Sequence, residues 1–211
     1  MVTTGGLDTV GIRMPLSEAA RDLIRAAERA IAAPSANRSG RPSPTRYDDV
    51  LEDMDGRIDA VLLGEDCEVG IESTVLDLTG EVPMILRPGY ITKEMLEFTL
   101  GSEVKYDPAL FVDPMHRSEG EDFHPKAPGM KYRHYAPKGQ LTLVEGDKDK
   151  VIAKINELVR EKKEEGYKVG VIGTDETLDA YHADILRSIG SRQKPESVAA
   201  NLYRILREFD D

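Results

Sequence analysis

The chain has 211 residues, of which 40% are apolar and 32% charged, and its formal net charge is −11. This composition allows a packed core, while the negative charge argues against a surface that binds nucleic acid over most of its area. The single cysteine excludes an internal disulfide and any cysteine-rich zinc site. No apolar run is long enough to span a membrane and no secretory signal is visible, so we expect a cytoplasmic protein.

The N-terminal half alternates strand-like and helix-like segments. Apolar residues with a period of two predict strands, and apolar residues at helical spacing predict helices. Side chains that cap helices mark where the helices begin. In chain order, the predicted elements are a strand over 9–13, a helix over 18–30 capped by Ser17, a short helix begun by a capping-box-like Thr45 and Asp48, a strand over 58–63, a hairpin of strands over 73–78 and 84–86, and a helix from Thr92 to Gly101.

The C-terminal half begins with a segment of different character. Residues 107–139 contain five prolines and many charged and aromatic residues without a clear period, which is typical of a linker. A regular alternation then resumes. It predicts strands over 141–144, 168–172 and 184–189 and helices over 148–165 and 195–210. Strand–helix–strand at this spacing predicts a parallel, Rossmann-like sheet.

Residues 32–44 are the most informative segment for function. They read A-A-P-S-A-N-R-S-G-R-P-S-P, with three hydroxyls, one amide and two guanidiniums but no long apolar side chain. Small residues let a ligand approach the main chain, and hydroxyls with arginine suit a phosphate. The predicted helix after the loop would add an N-terminus that favours an anion. The alternative is an ordinary turn-rich surface loop, which composition alone favours. Neither a Walker A sequence nor a dinucleotide fingerprint occurs.

Other polar groups stand at the ends of predicted strands. Arg13 and Arg87 each follow apolar residues, so each could anchor an anionic ligand or simply end a strand at the surface. Ser73 begins a predicted strand, where its hydroxyl could face a pocket or end a turn. In the linker, residues 127–137 interleave basic and aromatic side chains, which could stack a base and pair with phosphate. The alternative is a linker whose tyrosines pack on a surface.

The spacing of the four histidines does not predict a metal site. They show no pairing at metal-ligand spacing, so we predict no metal held by the protein. The four are His116, His124, His134 and His182.

Taken together, these segments resemble the threonylcarbamoyl-AMP synthase family, also called the YrdC family, in its two-domain form with a C-terminal extension. The resemblance implies an α/β fold. It consists of an incomplete YrdC-like twisted-sheet core over 1–106, an inter-domain linker or lid over 107–139, and a small Rossmann-like parallel domain over 140–211. The matching motifs are T-V-G-I-R-M-P at 9–15, A-P-S-A-N-R-S-G at 33–40 with S-P-T at 43–45, E-V-G-I-E-S-T-V at 68–75, I-L-R-P-G at 85–89 and A-P-G-M-K-Y-R-H-Y-A-P at 127–137.

The family joins L-threonine, bicarbonate and ATP into threonylcarbamoyl-AMP and releases pyrophosphate, so the resemblance implies a nucleotidyltransferase. Its product goes to the tRNA threonylcarbamoyl transferase, which modifies adenosine 37 of certain tRNAs. The resemblance further implies magnesium carried by ATP, no enzyme nucleophile, and no direct nucleic-acid binding. The implied L-threonine site contains Arg13, Ala33 and Ser73, and the implied ATP site contains Ser35, Asn37, Ser43, Arg87, Tyr132 and His134.

The family's N-terminal portion, with its K-x-R motif, has no counterpart in the chain. We therefore expect a fragment that is inactive alone, although its full-length parent would be the enzyme. Two alternatives remain, an RNA-binding module and a nucleotide-binding regulatory module of the same fold. Salt-sensitive tRNA binding without ATP binding would favour the first alternative.

Overall fold

The computed structural model describes residues 4, 6, 8–111 and 138–210 of the chain. The chain divides into two compact units, each assembled from two stretches of sequence. The first unit contains the described parts of 1–35 and 72–133. The second contains the described parts of 36–71 and 134–211. The predicted domain boundaries, near residues 106 and 139, stay a prediction.

In the described part of the first unit, two α-helices each begin at a side-chain cap and end at a residue in the left-handed conformation. Helix α1 spans Glu18–Ala27 and follows Ser17, whose hydroxyl accepts a hydrogen bond from the Ala20 amide at 3.3 Å. It ends three residues earlier than predicted, because Glu28 adopts a φ of 50°. A later helix, α3 at Lys93–Leu100, begins at Thr92 and ends at Gly101 in the same way, as predicted.

A small sheet forms the core of the first unit. Strand β1 spans Val75–Asp77 and pairs antiparallel with β2 at Met84–Arg87, so the predicted hairpin is confirmed. Strand β3 at Lys105–Tyr106 pairs parallel to β2 and was not predicted, because two residues are too few to show a period. A short 3₁₀ helix follows at Pro108–Phe111. Ile85, Leu86 and Val104 are buried around the sheet.

The second unit contains helices and a two-stranded parallel sheet, but the predicted strand before the helix over 148–165 does not form. After α2 at Tyr47–Met54 come α4 at Lys148–Glu164, β4 at Gly170–Gly173, β5 at Ile185–Ser188 and α5 at Pro195–Glu208, with a 3₁₀ helix at Leu178–Ala180. Strands β4 and β5 are parallel, which confirms the prediction of an α/β fold with parallel strands in this part of the chain. Val159 of α4 packs with Val171 of β4 and Tyr181 in a buried cluster.

Three predicted strands do not form in the structure. Residues 9–13, 58–63 and 141–144 are irregular, although each contains apolar residues typical of a strand. A strand requires a neighbouring strand that satisfies its backbone groups, and none of the described strands pairs with these segments. Their apolar side chains face outward accordingly. Ile12 is 91% exposed and Leu143 is 80% exposed.

The capping box predicted at Thr45 and Asp48 is also wrong. Helix α2 has Arg46 as its N-cap residue, without a side-chain cap. Thr45 lies one residue earlier, and its backbone amide donates to the Asp49 carboxylate at 3.4 Å. The Asp49 carboxylate therefore accepts a hydrogen bond from the backbone before the helix, as the acidic residue of a capping box does. The prediction had placed this acidic residue at Asp48, one position earlier.

Candidate functional site

Residues 36–45, here called the 36–45 loop, are held in shape by their own polar groups. The Asn37 side-chain nitrogen donates to the carbonyls of Arg38 and Arg41, at 2.9 and 3.2 Å. The Arg41 amide donates to the Arg38 carbonyl at 3.1 Å, and Gly40 between them has a φ of 89°, which favours glycine. Asn37 thus closes the turn with its nitrogen. Its buried Oδ1 accepts no hydrogen bond from the described part of the chain.

The two arginines of the loop bind the end of α2. The Arg38 guanidinium donates to the main-chain carbonyl of Glu52 at 2.9 Å, and Arg41 donates to the Glu52 carboxylate at 2.6 Å. Cations are favourable at a helix C-terminus, where carbonyls lack partners within the helix. Both side chains therefore fasten the loop to α2. The composition of the loop is compatible with Arg38 and Arg41 as phosphate ligands, but in the structure both side chains bind α2 and hold the loop.

Asp53 of α2 is the centre of a buried charge network. The residue is 0% exposed. Its carboxylate accepts the backbone amide of Arg38 at 3.2 Å, the Arg41 guanidinium at 2.7 Å and the Arg207 guanidinium of α5 at 3.0 Å. A buried carboxylate is tolerated only when its charge is paired and its oxygens accept hydrogen bonds. The residue pair Asp53–Arg207 was not among the predicted site residues.

Arg207 binds both α2 and the 36–45 loop. Only 2% of the residue is exposed. Besides Asp53, its guanidinium donates to the Pro42 carbonyl at 2.9 Å and to the Asp49 carbonyl at 3.3 Å. It also forms ion pairs with the carboxylates of Asp49 and Glu52, each at 3.3 Å. Pro42 directly precedes Ser43, so the network reaches the chain beside a predicted ATP ligand.

The network changes the acidity of its carboxyls. Burial raises the pKa of Asp53, but the hydrogen bond from Arg207, the Arg38 amide and the two guanidinium charges outweigh it, so the pKa lies below its ordinary value of 3.8. The hydrogen bond from Arg41 lowers the pKa of Glu52. Both carboxyls are therefore ionised at neutral pH.

The lowered pKa of Asp53 predicts acid sensitivity. Its contribution to stability is complete above the ordinary pKa of 3.8 and is lost as the pH falls through the lower pKa of the folded state. We expect the free energy of unfolding of the wild type to fall more steeply below that pH than that of Asp53→Asn. Urea titrations at a series of pH values would measure both slopes. Equal slopes for the two proteins would contradict the prediction.

In the first unit, Arg87 and Ser73 lie together. The Arg87 guanidinium donates to the Ser73 carbonyl through Nε at 3.2 Å and through its terminal nitrogen at 2.7 Å. Gly89 lies against the same segment, because a Cβ atom there would come within 2.4 Å of the Glu72 carbonyl oxygen and the Thr74 amide nitrogen. The R-P-G turn thus fixes the backbone that carries Ser73, and one predicted ATP ligand supports one predicted threonine ligand.

The remaining predicted residues differ in their surroundings. Arg13, Ala33 and Ser35 are exposed in the first unit. Among the described residues, the Arg13 side chain has no recorded hydrogen-bond or ion-pair partner. Asn37 and Ser43 lie in the second unit, where Ser43 is half-buried. Tyr132 and His134 lie outside the described residues.

A cavity of about 170 Å³ lies beside the end of the 36–45 loop. Its wall contains the first residues of α2 and the segment over 61–67. Within residues 8–111 and 138–210, no group of three or more acidic, histidine or cysteine side chains could hold a metal ion. None of the described helices combines the length and the apolar composition needed to cross a bilayer.

Two family models match the chain. One, described as "Threonylcarbamoyl-AMP synthase, C-terminal domain", matches residues 91–211. The other, described as "Telomere recombination", matches residues 1–89. Together they cover nearly the whole sequence.

Curated relatives named threonylcarbamoyl-AMP synthase are similar over 99% of the chain. The Pyrococcus abyssi protein is 47% identical over 209 residues, and the Bacillus subtilis protein is 43% identical over 211 residues. The chain covers 57% of the first protein and 56% of the second. It therefore spans a little more than half the length of these curated relatives.

The fold is similar to that of solved structures. The crystal structure of P. abyssi Sua5 complexed with L-threonine aligns with a TM-score of 0.83 and 45% identity, covering 98% of this chain and 57% of that one. A variant of the same protein aligns with a TM-score of 0.84 and 46% identity, covering 98% and 56%. These alignments support the mixed α/β fold.

Proposed function

Because the chain belongs to the threonylcarbamoyl-AMP synthase family, we propose that the protein carrying it makes threonylcarbamoyl-AMP from L-threonine, bicarbonate and ATP and releases pyrophosphate. The observation that carries this proposal is the similarity, along almost the whole chain, to a relative whose structure contains L-threonine. The product would pass, in the cytoplasm, to the transferase that modifies tRNA.

The proposed reaction needs alignment of two substrates and no enzyme nucleophile. The threonine amine adds to carbon dioxide and loses a proton, or reacts with bicarbonate and releases water, and a carbamate forms. A carbamate oxygen then bonds to the α-phosphorus of ATP, and the bond from that phosphorus to the bridging oxygen breaks, so that pyrophosphate leaves with the electron pair. Positioning and charge stabilisation would supply the rate enhancement. Magnesium bound to ATP would neutralise charge on the leaving pyrophosphate.

The residues of the first unit support a threonine site. The Arg13 guanidinium is exposed and has no recorded partner among the described residues, so it could bind the substrate carboxylate. Arg87 and Gly89 hold the backbone of Ser73 in place. A fixed backbone would let the Ser73 hydroxyl orient a small substrate. Ala33 lies in the exposed stretch just before the 36–45 loop, where its small side chain would leave the main chain open to the substrate.

The 36–45 loop supports an ATP site in the second unit. Its backbone is fixed by Asn37, and Ser43, a half-buried residue with a hydroxyl, follows Pro42. The other residues assigned to ATP by the family resemblance stay predictions: Ser35 and Arg87 belong to the first unit, and Tyr132 and His134 lie outside the described residues. A preformed loop reduces the entropy lost when the phosphates bind.

Pyrophosphate release measures the proposed activity directly. With the protein as its native gene encodes it, we expect release that requires ATP, bicarbonate and L-threonine, and a product with the mass of threonylcarbamoyl-AMP. Arg13→Gln should raise the KM for threonine by about tenfold to a hundredfold, because hydrogen bonds between charged groups contribute about 1.5–3 kcal/mol. Arg29→Gln, at an exposed arginine of the same unit, should leave this KM unchanged.

Pyrophosphate release that does not depend on L-threonine would contradict the proposal. Equal KM values for threonine in the wild type and in Arg13→Gln would contradict the role of Arg13 alone. Salt-sensitive binding of tRNA without any binding of ATP would instead support an RNA-binding protein.

A further inference from the structure

We propose that Arg207 of α5 is a positioning residue, which holds the 36–45 loop in the conformation that binds the nucleotide. The inference rests on the proposed function, because it assigns a role within the ATP site. Arg207 lies far from this loop in sequence and belongs to the last described helix of the chain. Its contacts with the loop and with α2 carry the inference.

Arg207 makes the connection between α5 and the loop backbone. Its guanidinium donates to the Pro42 carbonyl at 2.9 Å, and the same nitrogen donates to the Asp53 carboxylate at 3.0 Å. Asp53 in turn accepts the Arg38 amide at 3.2 Å. The loop is therefore held at Arg38 and at Pro42, near its two ends, by one ion pair. Asn37 and Ser43, the predicted ATP ligands, are the direct neighbours of these two points.

The burial of the ion pair favours a positioning role over simple packing. Apolar side chains of similar volume in place of both partners could fill the space with little loss of stability, and often with a gain. A buried guanidinium adds what an apolar residue cannot, which is donors in a fixed planar arrangement. Here the Arg207 donors bind the Pro42 carbonyl and the Asp53 carboxylate, which in turn binds the Arg38 amide.

Helix α5 makes a second contact within the second unit, at Gly70. Gly70 is buried against the helix, and a Cβ atom there would come within 2.3 Å of the Ala200 carbonyl oxygen. Helix α5 thus contacts the segment around Gly70 through its backbone and contacts α2 and the loop through Arg207. A shift of the helix that separates the guanidinium from Pro42 would therefore also disturb the contact at Gly70.

Kinetic measurements can separate a positioning role from a merely structural one. We would compare wild type, Arg207→Met, Arg207→Lys and the double variant Asp53→Asn with Arg207→Met. The double variant removes both buried charges, so it avoids an unpaired carboxylate and remains informative if Arg207→Met alone does not fold. Arg204→Met is the matched control, because Arg204 lies on the same helix and pairs at the surface with Glu208.

We expect Arg207→Met and the double variant, where they fold, to show a KM for ATP about tenfold higher, as the loss of about one charged hydrogen bond implies. Their KM for threonine should stay within about twofold of wild type. Hydrogen exchange without ATP should become faster in peptides covering residues 36–45. Arg207→Lys should restore part of the ATP affinity, and Arg204→Met should match wild type in every measurement.

An unchanged KM for ATP in a folded variant that lacks Arg207 would overturn the inference, as would a KM for threonine that rises in parallel with that for ATP. Failure of the proposed function has a different signature. In that case the wild type itself would release no pyrophosphate in response to threonine, before any variant is compared.

Discussion

Asp53→Ala is expected to lower the free energy of unfolding by about 3 kcal/mol, because it breaks a buried ion pair and leaves a guanidinium without its central partner. Asp53 is fully buried and is bound by Arg41 and Arg207. Arg207 keeps its ion pairs with Asp49 and Glu52 after the substitution, so the expected loss lies at the lower end of the range for such pairs. Urea denaturation at neutral pH would measure it.

Asp22→Ala is the control for this experiment. Asp22 also lies in a helix and pairs with an arginine, Arg25, but both side chains are about two-thirds exposed. Exposed pairs of this kind contribute about 0.5 kcal/mol or less. If the two substitutions destabilise the chain by similar amounts, the buried network does not have the importance that its geometry indicates.

Gly70→Ala is expected to destabilise the chain by about 2 kcal/mol, the usual cost of forcing extra volume into a packed site. The new Cβ would meet the carbonyl oxygens of Ala200 at 2.3 Å and Ala199 at 2.8 Å. Both atoms belong to the backbone of α5 and cannot move aside by a side-chain rotation. The helix or the segment around Gly70 must therefore shift. Thermal and urea denaturation would measure the loss.

Gly64→Ala provides the comparison within the same unit. A Cβ atom at Gly64 would meet nothing within 4 Å, and the residue does not have a positive φ. We expect this substitution to be neutral or slightly stabilising, because alanine restricts the unfolded chain. A Gly70 variant as stable as the Gly64 variant would show that α5 does not pack on this segment as the structure describes.

Elements with strong local signals were predictable from sequence. The caps at Ser17 and Thr92, the hairpin turn between β1 and β2, and the long amphipathic helices α4 and α5 each depend on residues close together in the chain. The strands over 9–13, 58–63 and 141–144 were not, because a strand exists only beside a partner strand. Their apolar residues favour a strand, but a local pattern does not supply the partner.

The residues that hold the loop escaped prediction for a different reason. In α5, the apolar stripe at Val198, Leu202, Ile205 and Phe209 predicted one buried face. The structure buries Ile205 of this stripe and leaves the other three residues partly exposed. It also buries Tyr203 and Arg207, which are four residues apart and share a second face of the helix. A second buried face that includes a charge depends on contacts with distant residues. Asp53 is separated from Arg207 by 154 positions, and nothing local in the sequence pairs them.

Nucleotide protection of the 36–45 loop tests the central claim most directly. Hydrogen exchange of the protein, as its native gene encodes it, would be measured with and without saturating ATP. We predict slower exchange with ATP in peptides covering residues 36–45, and about tenfold weaker ATP binding for Ser43→Ala, which loses a hydrogen bond to a charged phosphate. Exchange in this loop that saturating ATP leaves unchanged would contradict its assignment as a nucleotide site.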